Sequence, residues 1–358
     1  MKISKNMRRG YALTLAAVLT LPCLSMVKTQ AAKGIDMGQE CSLIVSVEIG
    51  SEAGANDKYL EDFNQMSIPV SVYRVADVDV TGQIYTPDGV FAEGDTALKF
   101  GGIGSTATAE EWQELAGQAE AILEAKSPKA AGETVVQSIG GGTAQGRIGG
   151  LHPGMYLVVP EETYNQDYSV QYAFTPYLTA LPSSAYALEG EGSDDWIYDT
   201  TIGLKPEAVP QYGRLNITKN LLNYNETLGQ ASFAFLVEGR ETPDGPVVYS
   251  DVVSTTHSDA GNVTVTLDKI PAGLIVTVKE IYSGASYKIN GEDTDTAEIW
   301  SDAAVEAGIA GAPEGGSTVT FANEYGGGNR GGYGVTNHFD SDGEGGWTWN
   351  NPTTPAEE

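Results

Sequence analysis

In three short segments of this chain, every second residue is mostly apolar. In each segment one position of that alternating apolar set holds a polar residue instead. The segments are Gly213–Lys219, Leu274–Glu280 and Thr318–Tyr325. Because side chains alternate between the two faces of a strand, Lys219, Glu280 and Asn323 are predicted to point into one apolar core. The set combines an amine, a carboxyl and a carboxamide.

These three groups can react with one another when water is excluded. Burial disfavours charge, so the lysine is favoured as a neutral amine, which is a nucleophile. A protonated Glu280 could hydrogen-bond to the carbonyl of Asn323, polarise it and shuttle protons. The product would be a Lys219–Asn323 isopeptide bond, with ammonia lost. In the alternative interpretation Lys219 reaches out to water, Glu280 lies at a sheet edge and Asn323 caps a turn.

The segment from residue 213 to residue 325 resembles the isopeptide-forming domains of Gram-positive pilins and adhesins, the Cna B-type and streptococcal pilin group. The resemblance rests on four stretches, Leu215–Lys219, Ile270–Gly273, Val276–Glu280 and Val319–Tyr325. In that family a first-strand lysine joins a last-strand asparagine, and a glutamate on an intervening strand catalyses the reaction. The resemblance therefore implies that Lys219 and Asn323 form the crosslink and that Glu280 is the catalytic residue.

Composition narrows the class of protein. The 358 residues are enough for two domains and a tail, and 48 acidic against 20 basic residues give a formal net charge of -28, which argues against nucleic-acid binding. Of two cysteines, Cys23 falls in a leader and Cys41 is left as an unpaired or buried thiol. The motifs predict no cofactor and no metal site.

Residues 1–32 are predicted to be a secretory signal peptide. Basic residues come first, the apolar stretch Tyr11–Leu24 follows, and small residues suited to cleavage end it. This stretch is shorter than the ~20 residues that a membrane span needs. We therefore expect a secreted protein of the Gram-positive cell surface or cell wall, with no membrane span in the mature chain.

The predicted fold is all-β, with tandem immunoglobulin-like (Cna B-type) β-sandwich domains. Residues 33–205 form the first, in which Thr108–Lys126 has helical periodicity and a capping box and is predicted to be an inserted helix. Aligning the first strands puts Val47 where the second domain has Lys219, so no isopeptide bond is expected here. His152 is predicted to be a solvated turn residue.

The second domain is predicted at residues 210–326, as a sandwich of about seven short strands. His257 lies among Ser, Asp and Gly residues and is predicted to be solvated in a loop. Residues 327–358 are predicted to be a disordered Gly-rich tail. No LPxTG-type sorting signal follows Tyr325, so we expect a chain that ends early or is anchored through a partner.

The stretch between the domains, Trp196–Lys205, resembles the pilin motif of Gram-positive pili. In that family the terminal lysine is the amine through which a sortase joins one subunit to the next. Trp196 and Lys205 match, whereas Thr200 and Ile202 stand where the family prefers valines. The resemblance implies a sortase and other pilin subunits as partners; the alternative is that Lys205 is a charged linker residue.

The sequence therefore predicts a pilin-like structural subunit, stabilised by a bond that forms once within its own chain, and so not a turnover enzyme. Two alternatives stay open. One is a surface adhesin that binds a host protein or glycan. The other is a secreted carbohydrate-active enzyme with a pilin-like accessory domain, because carboxylates are abundant enough to supply a catalytic pair.

Overall fold

The computed structural model describes residues 33–47, 57–101, 107–138, 143–184, 195–284, 286–327, 338–341 and 347–350. The predicted signal peptide and Cys23 lie outside them. The chain divides into two compact units. The first reaches to Gly213 and includes Pro271–Gly273 and Trp300–Glu314, and the second comprises Arg214–Ile270, Leu274–Ile299 and the residues from Gly315 onward.

The first unit contains thirteen of the described strands and three helices. The strands are β1 (Cys41–Val47), β2 (Ser67–Val78), β3 (Tyr85–Pro87), β4 (Gly132–Gln137), β5 (Gln145–Leu151), β6 (Gly154–Pro160), β7 (Thr163–Tyr164), β8 (Val170–Phe174), β9 (Tyr177–Leu181), β10 (Ser183–Ser184), β11 (Trp196–Ile197), β12 (Asp199–Leu204) and β13 (Pro206–Pro210). The helices are α1 (Asp57–Gln65), α2 (Ala109–Lys126) and α3 (Asp302–Glu306).

The second unit is built from the later strands. They are β14 (Tyr212–Leu221), β15 (Ala231–Arg240), β16 (Tyr249–His257), β17 (Gly261–Pro271), β18 (Ile275–Tyr282), β19 (Tyr287–Ile289), β20 (Thr294–Glu298), β21 (Ser317–Tyr325), β22 (His338–Ser341) and β23 (Trp347–Asn350).

A large mixed sheet with the order β12-β1-β5-β4-β2-β6-β9 dominates the first unit, and β3 extends it from β2. The smaller sheet β13-β8-β7 lies across one core from it. That core takes apolar side chains from β1 and β2, ring side chains from β8, and Phe63 from α1. The alternating burial of β1 is what a strand with one face on a core requires.

The inserted helix that the sequence predicts is confirmed as α2. Thr108 caps it, with both arms of the capping box made to Glu111, so two N-terminal N–H groups are satisfied. Its buried residues are Leu115, Ala116, Ala119 and Ile122, which join a second apolar cluster with residues of β2, β6 and β9. The helix therefore covers the outer face of the large sheet.

Two four-stranded sheets form the second unit, with the orders β17-β14-β21-β19 and β16-β15-β18-β20. Their inner faces share one core that includes Leu215, Ile217, Phe233, Val278 and Phe321. Together with the first unit this confirms the predicted all-β fold of tandem β-sandwiches with a helical insertion in the first.

Three elements differ from the sequence prediction. Helix α1 was not predicted. The apolar stretch Tyr172–Leu178 has the composition of one strand but contributes to two, β8 and β9, which belong to different sheets and are separated at Pro176. Proline has no N–H for a sheet ladder, which accounts for a break there.

The tail also departs from the prediction of disorder. Strands β22 and β23 pair antiparallel within it, and the register sets Phe339 opposite Trp349. Aromatic residues favour strands, so these two short stretches have the composition of strands despite their glycine-rich surroundings.

Candidate functional site: a buried lysine, glutamate and asparagine

The two sheets of the second unit bring the three predicted residues together. Lys219 lies on β14 and Asn323 on β21, which are parallel neighbours with Lys219 opposite Phe321 and Leu221 opposite Asn323. Lys219 and Asn323 are therefore diagonal neighbours on one face. Glu280 projects from β18 in the facing sheet, where it lies in register with Phe235 of β15. Two neighbouring strands of one sheet, β14 and β21, and one strand of the facing sheet, β18, thus supply one residue each.

The three side chains contact one another directly. The Nζ atom of Lys219 donates to Glu280 Oε2 at 2.5 Å and to Asn323 Oδ1 at 2.5 Å. Asn323 Nδ2 donates to Glu280 Oε1 at 2.6 Å and to the backbone oxygen of Ser283 at 3.3 Å. Glu280 therefore touches both the amine and the amide nitrogen, one with each carboxyl oxygen.

Water has no access to this group of residues. The side chains of Lys219 and Glu280 have no exposed surface, and Asn323 is fully buried. These positions do not fit the alternative interpretation, in which Lys219 reached solvent and Glu280 lay at an edge.

Aromatic rings line the pocket around the amine. The Nζ atom of Lys219 lies 4.7 Å from the ring centroid of Phe233, 5.7 Å from that of Phe235 and 6.0 Å from that of Phe321. Desolvation by these neighbours lowers the pKa of Lys219, although the hydrogen bond and charge of Glu280 oppose the shift. The apolar surroundings therefore favour the neutral amine more than water does.

The amide of Asn323 is oriented differently from the sequence hypothesis. We expected Glu280 to hydrogen-bond to the amide carbonyl. Instead the carbonyl oxygen faces Lys219, and the amide nitrogen faces Glu280. As an ammonium, Lys219 can only donate and attracts the carbonyl oxygen, and a carboxylate can only accept and attracts the N–H, so this orientation satisfies all three groups.

The prediction that His257 is solvated in a loop is wrong. His257 is the last residue of β16, lies opposite Ala231 of β15, and is 2% exposed. Its ring packs edge-on against Phe233, with ring centroids 5.4 Å apart. Every second residue of this strand, Val253, Thr255 and His257, lies on the same face, and this alternation indicates that His257 points inward. The Ser, Asp and Gly residues that follow His257 are typical of a loop and led to the wrong prediction.

The first unit has apolar residues at the corresponding positions. Its strands β1 and β12 are also parallel and set Val47 opposite Leu204. Val47 is 2% exposed and belongs to the apolar core, so an amine is missing where the second unit has Lys219. Cys41 is a free, buried thiol, and burial, followed by the charge of Asp199, raises its pKa to about 11.

The segment that resembles a pilin motif belongs to the first unit. Trp196 donates from its indole nitrogen to the backbone oxygen of Lys33 at 2.6 Å, and its ring covers Gly82, where any side chain would collide with it. Lys205 is exposed between β12 and β13. His152, as predicted, is exposed in the turn between β5 and β6.

Within the residues that the structure describes, no group of three or more His, Cys, Asp or Glu side chains is arranged to hold a metal ion. The helices in the same part of the chain include none with the length and apolar character of a membrane span.

Comparison with known proteins gives structural matches only. No family model matches the chain, and no curated protein matches it. A streptococcal ancillary pilin is 12% identical, with 80% of this chain and 69% of that chain covered and a TM-score of 0.25. The major pilin SpaD of Corynebacterium diphtheriae is 13% identical, with 84% and 100% covered and a TM-score of 0.24.

A third match is the basal pilin SpaE of Lactobacillus rhamnosus GG, which is 14% identical, with 74% of this chain and 85% of that chain covered and a TM-score of 0.30. These matches name the class of protein that the sequence resembles. At such TM-scores they carry no argument about this chain, whose fold is established by its own sheets and cores.

Proposed function

We propose that this chain is a secreted structural protein of the Gram-positive cell surface, a pilin-like subunit that crosslinks Lys219 to Asn323 with Glu280 as catalyst. One observation carries the proposal: the amine, the carboxyl and the amide contact one another in a core without exposed surface. A structural ion pair alone would not need an amide at hydrogen-bond distance from the lysine.

The reaction starts with proton transfer from Lys219 to Glu280. Nζ gives a proton to Oε2, 2.5 Å away, and becomes a neutral amine. It lies within hydrogen-bond distance of Oδ1 and so next to the amide carbon Cγ of Asn323. The fold holds the reactants in place, and such proximity can be worth about 7–11 kcal/mol of barrier.

Glu280 then moves protons from the nucleophile to the leaving group. Nζ attacks Cγ, and the new Nζ–Cγ bond forms as the carbonyl electrons shift to Oδ1. The neutral Glu280 carboxyl delivers its proton to Nδ2, which Oε1 already contacts, and the resulting carboxylate then takes the excess proton from Nζ. The Cγ–Nδ2 bond breaks, ammonia leaves, and the carboxyl is neutral at the end, as it was after the first transfer.

The crosslink suits a load-bearing subunit because of the strands it joins. Lys219 and Asn323 are 104 residues apart in the sequence but lie on adjacent parallel strands. Force applied to the two ends of this unit would otherwise shear the β14–β21 ladder. With the bond in place, the load passes through a covalent link.

Intact mass spectrometry tests the proposal. The wild-type chain is expected to weigh one ammonia less than its sequence requires, and Glu280→Ala is expected to restore the full mass apart from the substitution. Glu238→Ala is the matched control, because Glu238 is a carboxyl on the neighbouring strand β15 that pairs with Arg240 away from the site. Equal ammonia loss in wild type and Glu280→Ala, or none in either, contradicts the proposed role.

A further inference from the structure

His257 is a buried imidazole next to the proposed reaction site, and the proposed condensation does not use it. Its Nε2 atom has no hydrogen-bond partner among the described residues, although it is buried. A hydrogen bond joins the ring to the backbone of Asp259. Since Nε2 is unpartnered, Nδ1 makes that bond, and the ring is a neutral tautomer with a bare lone pair in the core.

One aromatic ring connects His257 to the reactive amine. The imidazole meets Phe233 at an interplanar angle of 90°, and Nζ of Lys219 lies over the same ring at 4.7 Å from its centroid. Tyr287 packs against this ring as well, at 5.8 Å between centroids. Two side-chain rings therefore pack against Phe233 beside the amine, and of these only His257 can change charge near neutral pH.

The charged groups around His257 make protonation unfavourable. Lys219 on β14 is the cation that faces it, and Glu280 on β18 is already engaged by Lys219. Asp259 is exposed, and its carboxylate accepts from the backbone N–H of Ala260. Burial and the charge of Lys219 both lower the pKa of His257. A proton on Nε2 would also have no acceptor among the described residues.

We propose that neutral His257 is a positioning residue for the Lys219–Asn323 condensation, holding Phe233 beneath the amine, and that its protonation makes bond formation fail in acid. This inference rests on the proposed function. In acid the imidazolium has to leave the core to be solvated, Phe233 loses its neighbour, and Nζ loses the ring that fixes it over Asn323. A displacement of the order of 1 Å can slow such a reaction about a hundredfold.

The experiment follows bond formation while the full chain folds. The chain is isolated unfolded, refolded by dilution from about pH 5 to about pH 8, and sampled by intact mass for loss of ammonia. Wild type is expected to react progressively more slowly as the pH falls through the lowered pKa of His257, which lies below the ordinary histidine value of 6.5. His257→Ala is expected to react more slowly at every pH, by roughly tenfold to a hundredfold.

Two variants that cannot titrate separate charge from packing. His257→Phe retains a ring against Phe233, and His257→Gln retains a donor for the backbone of Asp259. At least one of them is expected to react at the wild-type rate at about pH 7.5. The same variant is expected to lose the part of the decline in acid that depends on the histidine. The control is His152→Phe, at the exposed turn histidine. Protonation of carboxyl groups in acid affects the reaction in all of these chains alike. The difference between the variants and wild type therefore reports on His257.

The possible results are distinct. If wild type, His257→Phe and His257→Gln decline together in acid, or if His257→Ala reacts as fast as wild type, the role of His257 is overturned while the crosslink stands. If wild type loses no ammonia at any pH, the proposed function fails and the role of His257 fails with it.

Discussion

At the scale of single residues, the account depends on three polar groups in an apolar pocket. Each group satisfies the others: the carboxyl accepts from both nitrogens, and the amide oxygen accepts from the amine. Removing one member leaves each of the other two with a buried polar atom that has lost a partner, which is more destabilising than never burying that atom. The arrangement is therefore stable before reaction and is also positioned to react.

An unreacted Lys219 should make stability depend on pH. In Asn323→Ala the amine stays free and buried, and burial lowers its pKa below the ordinary 10.5. Between the lowered value and 10.5 the unfolded chain binds more protons at this residue than the folded chain does, so stability rises with pH through that window. Urea unfolding from neutral to alkaline pH measures the effect.

Wild type is the control for this dependence. Its Lys219 is an amide nitrogen in the proposed product and cannot titrate, whereas its other lysines and its tyrosines titrate as in the variant. We expect the stability gap between the two chains to narrow as the pH rises. Parallel pH profiles would mean that the wild-type lysine is also a free amine.

The sequence predicted which residues meet but not how they are oriented. Period-two alternation put Lys219, Glu280 and Asn323 on inward faces, and the structure places them in contact. The direction of the Asn323 amide could not be predicted, because it depends on which neighbour offers N–H groups and which offers lone pairs. His257 was misassigned because its inward face is set by strand register, while the residues that follow it are typical of a loop.

At the scale of elements, each unit has a late strand that runs parallel to its first strand and pairs with it. β1 pairs with β12 in the first unit, and β14 pairs with β21 in the second. Only the second pair carries an amine and an amide on its inner face. The proposed covalent chemistry would thus be an addition to a pairing pattern that also exists without it, since the first unit has Val47 opposite Leu204.

Closing a loop between β14 and β21 should stabilise the second unit. A crosslink that encloses about 100 residues contributes roughly 4.7 kcal/mol if it acts, as a disulfide does, by lowering the entropy of the unfolded chain. Asn323→Ala is therefore expected to lower the free energy of unfolding by at least that order. Chemical denaturation measures it.

The matched control for this change is Asn220→Ala. Asn220 lies on β14 directly after Lys219 and on the opposite face of the strand, outside the pocket. It is expected to change stability by no more than about 0.5 kcal/mol, as surface substitutions usually do. A drop of equal size in both variants would show that the loss in Asn323→Ala reflects general damage to the sheet.

Helices and strands could be predicted where their own local sequence pattern determines them. Helix α2 has a capping box and a helical apolar series, and it forms where the sequence placed it. Strands β8 and β9 follow each other closely in the sequence and are both largely apolar, but they belong to different sheets. Which sheet each strand joins is determined by the packing of the whole unit. Helix α1 is nine residues long and supplies Phe63 to the core, so tertiary contact rather than propensity stabilises it.

At the scale of the whole molecule, two features are relevant to assembly. The formal net charge of -28 opposes non-specific association, so joining subunits is expected to require a specific reaction. Lys205 is exposed at the end of the last strand of the large sheet, after a segment that resembles a pilin motif. We propose it as the amine that a sortase uses to join subunits.

Multimer formation with a partner sortase tests Lys205. We expect wild type to give a ladder of denaturant-resistant multimers, and Lys205→Ala to abolish it, because the acceptor amine is gone. Lys129→Ala is the control, since Lys129 is an exposed lysine elsewhere in the first unit. An unchanged ladder in Lys205→Ala would remove this residue as the joint and leave it as a charged residue between two strands.

The central claim is that Lys219 and Asn323 are covalently joined in the folded protein. Tandem mass spectrometry of a protease digest tests it most directly. The account predicts one branched peptide in which the Lys219 side chain is linked to the Asn323 side chain, one ammonia lighter than its two parts. Recovery of an ordinary, unbranched peptide at Lys219 from folded wild-type protein would contradict it.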